Sequence, residues 1–189
     1  MTPGCEQLAL ADLIDYAAGE LSEGKAAAIE EHLFSCADCA ARAADLDALV
    51  RALPAALRSG EVGGFVTDAV LNRLARDGMR VRSYALSPGA IVPCAVWEDD
   101  ELMALRLRAD IGGASEITLS QRVAGTEVVR VTGQIAASSH GELIFAVSAA
   151  WVRELPVVDV EILLTAHEGD EQRTVGSYTL VHGGAFHRR

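Results

Sequence analysis

The hydrophobic period of this chain changes once, near Asp77–Gly78, and that change limits the folds open to it. Before it, apolar residues recur at helical spacing; after it, they alternate. One uniform architecture cannot satisfy both patterns, so the sequence predicts a helical unit over residues 1–78 and an all-β unit over 79–189.

In the first part Ala, Leu, Glu and Arg dominate, all good helix formers. Leu8, Leu10, Leu13, Ile14 and Ala17 form one apolar stripe, and Gly19 stops it. Ser22 reads as the N-cap of a second helix through Ala26, Ile29, His32 and Leu33. Lys25 stands where the reciprocal capping box needs Glu or Gln, so that box is absent. A third helix is expected from Ala40 to about Leu53, with Pro54 kinking or ending it. After the Gly-rich break at residues 59–64, a short helix is expected over Phe65 to Arg76. Its apolar face would be Phe65, Val66, Ala69, Val70 and Leu74. So little chain lies beside this helix that its apolar face reads as a docking arm for the groove of another protein.

From Met79 onward, residues 81–86, 105–108, 116–120 and 157–162 alternate, and turn signals recur between such runs. About eight short strands with no helical stretch between them indicate an antiparallel β-sandwich or small barrel. The fold class is therefore α+β. Trp97 and Trp151 read as core anchors, Cys94 as a buried small hydrophobe, and Glu98 to Glu101 as a solvated turn. His140, His167, His182 and His187 read as surface or terminal residues.

The formal net charge is −11, which opposes direct nucleic-acid binding, where clustered Lys and Arg displace counterions from phosphates. The start, MTPGCEQLALADLIDY, has no basic region of a signal peptide. No run reaches the roughly 18 apolar residues of a membrane-spanning helix. The chain is read as cytoplasmic, where closely spaced cysteines bind metal or do redox chemistry more often than they form disulfides.

The stretch HLFSCADC, residues 32–39, concentrates the chemistry. His32 and Cys36 are four apart and share a helical face, while a tight turn brings Cys36 and Cys39 together. Three such ligands suit Zn2+, which takes a fourth in a closed tetrahedral site. Antiparallel pairing of the first two helices would set Cys5 beside His32, giving the expected site Cys5, His32, Cys36 and Cys39. A thioredoxin-like pair is disfavoured because no βαβ pattern surrounds the cysteines. Two roles remain open for zinc: a purely structural one, or a switch released when the thiolates oxidise to a disulfide. No serine-hydrolase triad, phosphate loop or dinucleotide motif is present, so no enzyme is expected.

Residues 5–50 resemble the zinc-binding anti-sigma domain, also called the putative zinc-finger family. The likeness rests on the early Cys5, the turn formed by Asp15, Tyr16, Gly19, Glu20, Leu21 and Ser22, and the H-x3-C-x2-C ending. Gly24 stands where the family usually has Pro or Glu. The resemblance implies an anti-sigma factor that binds an alternative sigma factor of the extracytoplasmic-function group. Helices wedged between that sigma factor's two DNA-binding domains would keep it from RNA polymerase and repress transcription initiation. The resemblance also implies a soluble member, with the β unit serving a stress signal or assembly. Two rival readings stand beside it: a zinc-stapled adaptor with a different protein partner, and a cupin-like metal site or metalloenzyme built on His140, His167 or His182. Oligomeric state is not legible.

Overall fold

The computed structural model describes residues 8–60, 63–134, 141–169 and 171–186. The chain divides into two compact units. One comprises residues 1–56 and 67–78, the other residues 57–66 and 79–189.

The helical unit begins with α1 (Leu10–Ala18). Gly19 ends it in the left-handed region at φ 71°, where a side chain would be strained. The Gly19 N–H donates to Tyr16 O and the Glu20 N–H to Asp15 O, the paired bonds of a Schellman stop. Helix α2 (Glu23–Ser35) starts after Ser22, whose backbone is extended as an N-cap requires but whose hydroxyl makes no capping bond. Helix α3 (Ala37–Ser59) runs past Leu53 and carries Pro54 inside it, so the proline neither ends the helix nor sets its length. Its last turn belongs to the second unit.

The short fourth helix differs from expectation. Phe65 and Val66 lie in strand β1 (Gly64–Val66), and helix α4 spans only Asp68–Arg76. Thr67 decides this boundary: its hydroxyl accepts from the Val70 N–H at 3.3 Å, capping a helix that starts after it. Helix α4 packs on α1. Arg76 donates to Ala18 O at 2.8 Å and to Glu20 Oε1 at 2.6 Å, tying α4 to the end of α1. Ala69, Val70, Leu71 and Leu74 are all buried. The expectation of a free docking arm is thereby corrected: Phe65 and Val66 are strand residues, and Ala69, Val70 and Leu74 are already covered.

The second unit adds β2 (Val81–Leu86), β3 (Ile91–Trp97), β4 (Leu102–Arg108), β5 (Glu116–Val123), β6 (Thr126–Gln134), β7 (Glu142–Ser148), α5 (Ala149–Arg153), β8 (Asp159–Glu168) and β9 (Glu171–Phe186). One sheet has the order β1-β7-β4-β2, the other β3-β9-β8-β5-β6. Alternate residues of both sheets meet in one core: Met103, Leu105 and Phe145 from the first, Leu119, Ile162 and Leu164 from the second. This is a sandwich, but its sheets are mixed. β2 pairs parallel with β4, and β3 with β9. The cause is that β2, β3 and β4 alternate between sheets, so β2 and β4 run the same way when they meet.

Two tyrosines join strands of different sheets. The Tyr84 hydroxyl on β2 donates to Ala95 O at 2.6 Å and accepts from the Ala95 N–H at 2.8 Å, where the β3–β9 register shifts. That one hydroxyl satisfies both backbone groups that the irregularity frees. The Tyr178 hydroxyl donates to Arg108 O at 2.6 Å, and burial pushes its pKa up to about 12, so it stays a donor.

The acidic run at residues 98–101 is more than a solvated turn. Asp100 is buried, accepts from the Trp97 N–H at 2.8 Å, and receives both Nε and Nη2 of Arg82. Arg153 binds the carbonyls of Trp97 and Asp100, each at 2.9 Å. Glu101 accepts from the Arg80 N–H and from Arg58, which hold its carboxyl below the usual range, the backbone bond contributing most.

Candidate metal centre

The metal ligands sit where one helix turns into the next. His32 lies in the last turn of α2, Cys36 is its C-cap, and Cys39 falls in the first turn of α3. Cys36 has extended backbone, φ −126° and ψ 101°, which breaks the helix for one residue. Its N–H still donates to His32 O at 2.9 Å, while its carbonyl accepts from the Ala40 N–H at 3.0 Å. One residue thus closes α2 and opens α3, and this folds the H-x3-C-x2-C spacing into a cluster.

The ligand atoms of His32, Cys36 and Cys39 all lie within 4.8 Å of one another. Both cysteines are buried and His32 is half-buried. Neither thiol is in a disulfide. Metal binding takes the sulfurs as thiolates, and the start of α3 offers them the positive end of a helix. Two sulfurs and an imidazole nitrogen fit Zn2+. The expected fourth ligand, Cys5, lies outside the described residues.

The class defined here is a small helical domain clamped by a zinc site at a helix–helix corner. Residues 5–40 match the family model described as "Putative zinc-finger". The match covers about a fifth of the chain and speaks for that segment alone. No curated protein matches the chain. Among solved structures, the N-terminal domain of phage TP901-1 ORF48 is similar at 12% identity and a TM-score of 0.36, covering 55% of this chain and 98% of that one.

The histidines of the β unit divide. His167 Nε2 lies 2.7 Å from Thr118 Oγ1, which also meets Thr132 Oγ1 at 2.8 Å, a polar row across three strands. His140 and His187 lie outside the described residues. His182 was expected at the surface and is instead 1% exposed. Alternation carries it inward: β9 places Tyr178, Leu180 and His182 on one buried face.

Proposed function

We propose that this protein is an anti-sigma factor. Its zinc-clamped helical unit binds an extracytoplasmic-function sigma factor and withholds it from RNA polymerase. The observation that carries the reading is the coincidence of the family match over residues 5–40 with three ligands gathered within 4.8 Å. The charge of −11 agrees with a regulator that acts on a protein rather than on DNA. No helix among the described residues is long and apolar enough to cross a membrane. The β unit, with its own core, is the part we assign to signal response. We assign no enzymatic activity to either unit.

With the face of α4 covered, the docking surface falls to other residues. The helical unit exposes Phe34 at 93%, Leu49 at 62% and Leu10 at 52%. A phenyl ring left in water beside a metal site is a candidate anchor, since buried aromatic anchors carry much of the energy of interfaces. Phe34→Asp is expected to weaken binding to the sigma factor about 30-fold or more, as for a hot spot of about 2 kcal/mol. Zinc content should not change, because the side chain points to solvent. Pulldown and calorimetry of the zinc-loaded full-length protein against the extracytoplasmic-function sigma factors of its own genome test the proposal. Failure to bind any of them would reject it, and an unaltered affinity of Phe34→Asp would reject the docking surface alone.

A further inference from the structure

The interior of the β unit holds a second group of soft donors. Cys94 on β3 and His182 on β9 are register partners, so their side chains stand side by side on one face. Met103 comes from β4 in the facing sheet, and its Sδ lies 3.7 Å from Cys94 Sγ. Gln121 on β5 completes the set. All four line one cavity of about 10 Å³, roofed by Trp151 and Leu155, which is room for a single water-sized occupant.

This group departs from an ordinary core in a specific way. No hydrogen bond of good geometry reaches the side-chain oxygen of Gln121 or either ring nitrogen of His182, whose imidazole has the Leu155 backbone as its polar neighbour. His182 and Gln121 are 1% and 2% exposed. Buried polar groups are almost always paired, so these atoms call for an occupant of the cavity they line, which has room for one water or one ion. Burial holds the Cys94 thiol up, with Tyr84 opposing, and pushes His182 down, with the backbone of Leu155 opposing. Both shifts favour the uncharged forms, the thiol and the neutral imidazole.

We propose that Cys94, Met103 and His182 form a buried site for one soft monovalent metal ion, Cu(I). Gln121 lines the same cavity. The donor set selects this ion: a thioether is a poor partner for zinc, whereas thiolate and thioether sulfur favour Cu(I). The spacing agrees. With metal–sulfur bonds of about 2.3 Å, sulfurs 3.7 Å apart subtend about 107° at the metal. Binding releases the Cys94 proton, leaving a neutral thiolate–copper pair inside the apolar core, so affinity rises with pH. The site uses none of the ligands of the zinc centre and does not depend on the sigma-factor reading.

The test is anaerobic titration of the zinc-loaded full-length protein with Cu(I) buffered by bicinchoninate. Copper and zinc are counted after gel filtration, and the copper environment is read by X-ray absorption. The expected result is one copper per chain with zinc retained, bound by two sulfurs and one nitrogen. Met103→Leu keeps the side-chain volume and is expected to lower copper affinity at least tenfold with an unchanged unfolding midpoint. Cys94→Ser should lower it further. Copper that enters only as zinc leaves, copper held equally by Met103→Leu, or no retained copper would each overturn the proposal.

Discussion

Cys39→Ser is expected to strip the zinc and melt the helical unit while the β unit keeps its own unfolding transition. Structural zinc supplies roughly 10 kcal/mol or more of apparent binding free energy in small domains, comparable to the whole stability of a domain. Around the corner between α2 and α3 the helical unit has few substitutes for it. Its short helix α1 holds two fully buried side chains, Leu13 and Ala18, and α2 buries only Ile29. The corner between α2 and α3 is one residue long and is fixed by the ligands on either side of it. Zinc analysis and circular dichroism check this, and a strong chelator acting on the wild type should reproduce the loss of helix. A variant that keeps one zinc and full helicity would show that Cys39 is not a ligand.

Gly176→Ala should be the most damaging small substitution in the β unit. Gly176 is buried on β9, and an added Cβ would collide with the ring of its near neighbour Tyr178, 2.6 Å from Cζ and 2.7 Å from Cε2. The ring cannot yield cheaply. It is 1% exposed, and its hydroxyl is committed to Arg108 O across the sandwich. Overpacking and loss of a buried hydrogen bond together should cost about 3 kcal/mol. That corresponds to a fall of roughly 10–15 °C in the melting temperature of a unit of this size. An unchanged midpoint in calorimetry would mean that the ring is not held where this packing requires.

Periodicity made much of this fold legible. Strand β2 coincides with the alternating run at residues 81–86, β4 and β5 contain those at 105–108 and 116–120, and the period change falls at the boundary between the units. The misses arise where local pattern and long-range pairing disagree. Phe65 and Val66 fit a helical stripe, but Thr67 caps a helix that starts after them and β7 offers them a ladder. Pro54 is compatible with a kink or an end, because its own bond is lost, and α3 continues past it. The parallel pairs β2–β4 and β3–β9 cannot be read from alternation, which reports facing but not direction. Helix α5 hides inside an apolar stretch, where a short buried helix and a strand look alike.

The zinc centre was the most readable feature, because three of its ligands lie within eight residues. The donors around His182 were not readable at all. They come from β3, β4, β5 and β9, and only the stacking of two sheets brings them together. Asp100 makes the same point. Its acidic neighbours suggest solvent, and only the structure shows Arg82 and the Trp97 N–H closing on it.

Silencing of a sigma factor by the helical unit, as proposed, is open to transcription in vitro. RNA polymerase programmed with the partner sigma factor is titrated with the zinc-loaded full-length protein, and transcript from a promoter of that sigma factor is counted. Inhibition is expected to be complete near one protein per sigma factor, lost in Cys39→Ser and absent when the housekeeping sigma factor is used. Undiminished transcription at a several-fold excess, with the complex formed and zinc in place, would contradict it.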